Sequence, residues 1–170
     1  MLKPRFLIGF TGHRAGFDEK LIQAALHGAL DDLRKRAEAV GGQAELYASV
    51  AEGGDILCVE AARNLEMPVH LLLPLPDDEF AKDFSSAGVW DRSKHQLDLA
   101  RQKPGRDSVR IVPGEIARPD CYFDQAIRIL EAVDVLVAVW DGQPARGLGG
   151  TAEVIEHARK RLGLPVIVID

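Results

Sequence analysis

A chain of 170 residues with 46% hydrophobic and 28% charged residues is long enough to bury one substantial core, so a single domain over 1–170 is expected and disorder or a fibrous repeat is not. Its formal net charge of −5 leaves no basic footprint for a phosphate backbone, so no nucleic-acid partner is expected. Gly9, Thr11, Gly12 and His13 end the first apolar run long before it could act as a signal or span a bilayer, which predicts a cytoplasmic protein with no membrane partner.

In chain order, a β-prone run at 6–10 opens the sequence. Leu21, Ile22, Ala25, Leu26, Ala29, Leu30, Leu33, Ala37 and Val40 then recur at helical spacing, and Gly41-Gly42 supplies a stop. A second strand is expected at 44–48, a helix at 54–65 and a third strand at 68–73. The segment 77–106 carries many charges around Phe80, Phe84, Val89, Trp90 and Leu97, and reads as an irregular helix or a lid. Strands at 109–112, 134–140 and 165–169 alternate with helices at 122–133 and 151–162, the last closed by Gly163. The apolar runs are continuous rather than alternating, as in strands covered on both faces. Together these predict an α/β protein: a three-layer, doubly wound, Rossmann-like fold with a mainly parallel sheet of about six strands. Cys58 and Cys121 form no CxxC, so they are expected to be buried thiols rather than metal ligands or a disulfide; no metal and no cofactor are expected.

Ligands of open parallel sheets bind beyond the carboxyl ends of the strands, so the loops there carry the functional expectation. After the first strand come Thr11, Gly12, His13 and Arg14, whose backbone N–H groups, hydroxyl and guanidinium suit an anion, although no P-loop or full GxGxxG is present. After the second come Ser49, Glu52, Gly53, Gly54 and Asp55. Ser49 and Glu52 are candidate ligand contacts there, the glycine pair permits close approach, and Asp55 reads as a helix-start carboxylate. The third loop holds Asp141, Arg146, Gly147, Gly149, Gly150, Thr151 and Glu153; its glycines and threonine sit at the positive end of a helix, where a phosphate fits.

Gly9-Phe10-Thr11-Gly12-His13-Arg14, Glu52-Gly53-Gly54-Asp55 with Glu60, Gly149-Gly150-Thr151-Ala152-Glu153 and the closing apolar strand resemble the SLOG superfamily. That group of Rossmann-like proteins includes the LOG phosphoribohydrolases and the DNA-processing protein A domains. The resemblance implies a sheet-end pocket for nucleotides or nucleotide-derived ligands and, in the LOG branch, cleavage of a nucleoside monophosphate at its N-glycosidic bond. LOG enzymes carry PGGxGTxxE. Gly150-Thr151 match its GT, but Val154 stands in the glutamate's place and Glu153 is one residue early. The expectation is therefore a nucleotide-binding or sensor domain whose partner is a nucleotide-type small molecule. The alternative is a nucleoside 5′-monophosphate N-glycoside hydrolase with Glu52 or Glu153 as its catalytic carboxylate. A homo-oligomer is expected because SLOG relatives pair through helices beside the pocket.

Overall fold

A computed structural model of the chain describes residues 3–114, 117–144 and 150–170. Six strands form one sheet: β1 (Arg5–Gly12), β2 (Gln43–Ala48), β3 (Val69–Leu73), β4 (Ser108–Ile111), β5 (Val135–Val139) and β6 (Val166–Ile169). Their order is β4-β3-β2-β1-β5-β6, and every pairing is parallel. The helices are α1 (Glu19–Ala39), α2 (Gly54–Asn64), α3 (Asp77–Phe80), α4 (Ala87–Arg101), α5 (Asp120–Ala132) and α6 (Thr151–Arg161). This is the three-layer Rossmann-like architecture that the alternation of runs implies.

Local signals set the ends of α1. Asp18 caps it by accepting from the Lys20 and Leu21 N–H groups at 2.9 and 3.2 Å, and Gly41 beyond its last turn takes φ +76°, a conformation that costs a residue with a Cβ. The side it buries, Ile22, Leu26, Leu30, Leu33 and Ala37, is the predicted apolar stripe. From β1 the chain steps outward through β2 and β3 to β4, so right-handed crossovers place α1, α2 and α4 on one face. It then returns across the sheet to β5 and on to β6, which puts α5 and α6 on the other.

Strand β5 serves both layers. Val135, Val137 and Val139 join the large core beneath α1 and α2, whereas Leu136 and Ala138 pack with Val154, Ile155 and Ala158 of α6. A strand buried on both sides has no polar alternation, which is why its sequence is an unbroken apolar run. Cys58 and Cys121 are free and buried, as expected.

Residues 77–106 depart from the expectation of an irregular helix or lid. They form the single turn α3, a 3-10 turn (Ala81–Asp83) and the regular helix α4, capped by Ser86 Oγ, which accepts from the Val89 N–H. Phe80 is fully buried among Phe84, Trp90 and Tyr122, so these aromatics close the core. The apolar pattern is weak because α4 covers only the β3–β4 edge, burying Ser93, Gln96, Leu97 and Ala100. No helix among the described residues is long and apolar enough to cross a membrane.

Leu46, at the centre of β2, is fully buried. Replacing it by alanine should remove about 2.5 to 4 kcal/mol of stability, measured as a lower urea midpoint at unchanged slope; a loss under about 1 kcal/mol would place Leu46 outside the packed core.

Candidate functional site

The order of the sheet reverses at β1, whose neighbours β2 and β5 are reached by crossovers on opposite faces. A crevice opens there beyond the carboxyl ends, where Gly12 pairs with Val139. It has a volume of about 380 Å³. The β1 loop contributes Thr11, Gly12, His13 and Arg14, the start of α6 contributes Gly150, Thr151 and Ala152, and α5 contributes Tyr122, Gln125, Ala126 and Ile129. Ala51 and Asp55 complete the side toward α2.

Short backbone contacts hold the two sides of the crevice together. The His13 N–H donates to Val139 O at 3.2 Å, and His13 Nε2 lies 2.9 Å from Asp141 Oδ1. The Asp141 backbone N–H also approaches that nitrogen, at 3.4 Å. On the other side the Gly54 N–H donates to His13 O at 2.9 Å. Gly53 takes φ +95°, and a Cβ there would stand 2.3 Å from Arg14 O. The glycine pair therefore lets the second loop press against the backbone of the first, and neither glycine lines the crevice.

Gly150 is the N-cap of α6 and offers no side chain to cap it. The N–H groups of the first turn have no acceptor within a helix, and they sit at its positive end. Thr151, 7% exposed, brings a hydroxyl to the same wall. Arg14 stacks on Tyr122, its Cζ 5.4 Å from the ring centre, and donates from Nη1 to Asp83 O at 3.1 Å. Those contacts are a ring face and a carbonyl. Asp83 also takes hydrogen bonds on its carboxylate from Arg118 and from the Tyr122 hydroxyl. Burial and the bond to Asp83 push the Tyr122 phenol well above its ordinary value, which leaves it protonated at neutral pH.

Of the residues predicted to form the site, the fold brings together Thr11, Gly12, His13, Arg14, Gly150 and Thr151. Asp141 is one contact away, through His13. Ser49 is buried outside the crevice wall. Glu52 points to the far side of the second loop, accepting from the Ser85 N–H and hydroxyl at 2.9 and 2.6 Å, and those bonds hold its carboxyl below the usual range. Glu153 is half-buried on α6 and is not part of the wall. Arg146, Gly147 and Gly149 lie outside the described residues.

Sequence reasoning missed Asp55 as a crevice residue, and missed the whole contribution of α5. Asp55 is the only carboxylate among the described residues of the wall. Desolvation pushes it up to about 7, against the smaller opposing effects of the Ala51 N–H and the Arg14 charge. Its place in the first turn of α2 looks identical, in sequence, to that of any helix-start acid. Tyr122 and Gln125 carry no local signal either, since α5 reaches the crevice by crossing the sheet.

Two outcomes follow from this geometry. Gly53→Ala should cost more than about 2 kcal/mol by chemical denaturation, because the new Cβ meets backbone and φ is positive. For Asp55 the folded value near 7 lies above the ordinary 3.8. Stability is thus fully present below about pH 3.8 and is lost as pH rises through about 7. Asp55→Asn should be more stable than wild type at pH 8 by about 1 to 2 kcal/mol, less than the full shift implies because the crevice is open to water. That advantage should vanish at pH 4 in thermal melts; an equal difference at both pH values would contradict the assignment.

No known protein-family model matches the chain, and no curated protein sequence matches it. Among solved structures, the chain aligns with DNA processing protein A from Streptococcus pneumoniae at a TM-score of 0.63 and 14% identity, over 99% of this chain and 50% of that one. It aligns with DNA processing protein A from Helicobacter pylori at a TM-score of 0.60 and 14% identity, over 97% of this chain and 65% of that one. The chain thus spans half the length of the pneumococcal protein. The Helicobacter pylori structure is described for its single-stranded DNA binding mode, which overturns the expectation that nucleic acid has no place as a partner. The expectation rested on net charge, which averages over the surface, whereas binding responds to the local potential of a cleft. At this level of identity the likeness establishes architecture: the chain has the Rossmann-like fold of DNA processing protein A, the fold that its resemblance to the SLOG superfamily implies.

Proposed function

We propose that the chain is a binding domain that holds a nucleotide by its phosphate in the β1–β5 crevice. The observation that carries this reading is the convergence, on one wall, of the Thr11–Arg14 loop and the start of α6 at Gly150 and Thr151. Backbone N–H groups, a hydroxyl and a guanidinium there face a common space large enough for a small ligand. Tyr122 offers an aromatic surface for a base, and Asp55, protonated below about pH 7, offers a donor to a ribose or phosphate oxygen. Binding is favoured over N-glycoside hydrolysis by Glu52 or Glu153 because neither of those carboxylates belongs to the wall.

A second reading takes the nucleotide as one unit of a single strand. The single-stranded DNA binding mode described for the Helicobacter pylori structure of the same fold favours it, as does an aromatic residue beside a phosphate cradle. Salt dependence separates the two. A free nucleotide engages one phosphate group and should show a shallow slope, whereas a strand tracked over several phosphates loses affinity steeply with added salt.

Nucleoside monophosphates and a short oligothymidylate are titrated against the protein, with thermal shift and fluorescence anisotropy as readouts. Arg14→Ala should weaken binding by one to two decades, or about 1.5 to 3 kcal/mol, and Gly150→Val should abolish it while both variants stay folded. Binding unaffected by either change, or no binding of any nucleotide form, would reject the crevice as the site. Affinity for a phosphate dianion should also fall as pH rises through 7, when Asp55 becomes an anion, and Asp55→Asn should flatten that dependence.

A further inference from the structure

Helices α5 and α6 cover only part of their face of the sheet, and the strands farther out, β2 to β4, carry a polar row on that side. His70 and Ser108 are direct partners in the β3–β4 register, and Glu45 lies on the adjacent β2. His70 Nδ1 is 2.8 Å from Ser108 Oγ, and His70 Nε2 is 2.8 Å from Glu45 Oε2. The Glu45 side chain is 8% exposed and accepts from Arg5 Nε at 2.9 Å. Burial works to raise the Glu45 carboxyl, and the bonds from Arg5 and His70 overcome it, holding it below the usual range. Glu45 is therefore an anion and can only accept.

That constraint propagates along the row. Nε2 therefore carries a proton toward Glu45, and in the neutral imidazole this leaves a lone pair on Nδ1, to which the Ser108 hydroxyl donates. A serine hydroxyl donating to a neutral imidazole, whose far nitrogen is oriented by a buried carboxylate, is the arrangement that activates serine for attack. Ser108 and His70 border a cavity of about 440 Å³, distinct from the crevice, with Tyr47 and Leu72 as apolar walls and Arg110 at its rim. Arg110 follows Ser108 by two residues, so both lie on one face of β4.

We propose that Ser108, His70 and Glu45 form a hydrolytic relay on the open face of the sheet, acting on small carboxylic esters with an apolar acyl group. Ser108 Oγ attacks the ester carbonyl carbon while its proton passes to His70 Nδ1, and Arg110 faces the oxygen that gains charge. The carbon–oxygen bond to the alcohol breaks, and the alcohol leaves with the proton from Nδ1. Water then attacks the acyl-serine and gives its proton to Nδ1, and the carboxylic acid departs as Ser108 recovers its hydrogen. Glu45 and Arg5 act as positioning residues through the imidazole.

A fluorophosphonate probe tests the relay on the intact chain, since Ser108 would form a phosphonyl ester with loss of fluoride. Peptide mapping by mass spectrometry should find one adduct, on Ser108. Ser108→Ala should be folded, unlabelled and inactive toward p-nitrophenyl butyrate, with nucleotide-induced thermal shift unchanged. His70→Ala should slow labelling by roughly a hundredfold or more, and Glu45→Gln should slow it less. No adduct on Ser108 in the folded wild-type protein would overturn the proposal, as would an adduct that forms equally fast without His70. Should His70→Ala fail to fold, wild-type labelling and Ser108→Ala decide the matter.

Discussion

Strand β1 is hydrogen-bonded to β2 along one edge and to β5 along the other, and the crossovers that reach those neighbours are right-handed. Moving outward from β1 to β4 stacks α1, α2 and α4 on one face, and the return to β5 must then bring α5 down the opposite one. Helices leave β1 and β5 in opposite directions at their carboxyl ends, so among the described residues a gap opens between them. The crevice is a consequence of chain order and handedness, and the side chains that face it do so because of where that reversal falls.

Keeping the gap open and shaped requires its rim to be rigid. The β1 loop is fixed from both directions, by the contact of His13 with Asp141 on one side and by the Gly53-Gly54 backbone against His13 and Arg14 on the other. The glycines that a sequence reader assigns to ligand approach here serve the approach of one loop to another. Electrostatics follow from the same packing: Asp55 is drawn under the loop, loses water and becomes a carboxyl that titrates near neutrality, beside a guanidinium that is stacked on Tyr122 and bonded to the Asp83 carbonyl.

The opposite faces of the outer strands obey a different rule. Where α5 ends its coverage, the sheet shows Glu45, His70 and Ser108 in a single hydrogen-bonded row. A buried ionic row adds little net stability over apolar residues of similar size, because desolvation offsets much of the attraction. The anionic Glu45 nonetheless fixes a proton on His70 Nε2, so the row with a neutral imidazole has a single orientation.

Periodicity and punctuation alone determined the elements and the class of fold. The stripe from Ile22 to Ala37, the glycines at 41 and 42 and the unbroken apolar run of β5 each translate directly into a local structure, because helix and strand periods are properties of neighbouring residues. The weakly patterned 77–106 segment was misjudged because α4 packs on an edge and needs few apolar residues. In the site, Thr11 to Arg14 and Gly150-Thr151 were legible, since a loop after a strand and a helix start are local features. Only the tertiary structure decided that Gly53 and Gly54 bind a loop, that Glu52 turns away to Ser85 and that Asp55, Tyr122 and Gln125 enter the crevice. Only it aligned Glu45, His70 and Ser108, which are dispersed in sequence and meet through strand register. Proximity across a sheet depends on strand order and handedness, and no window of sequence carries either.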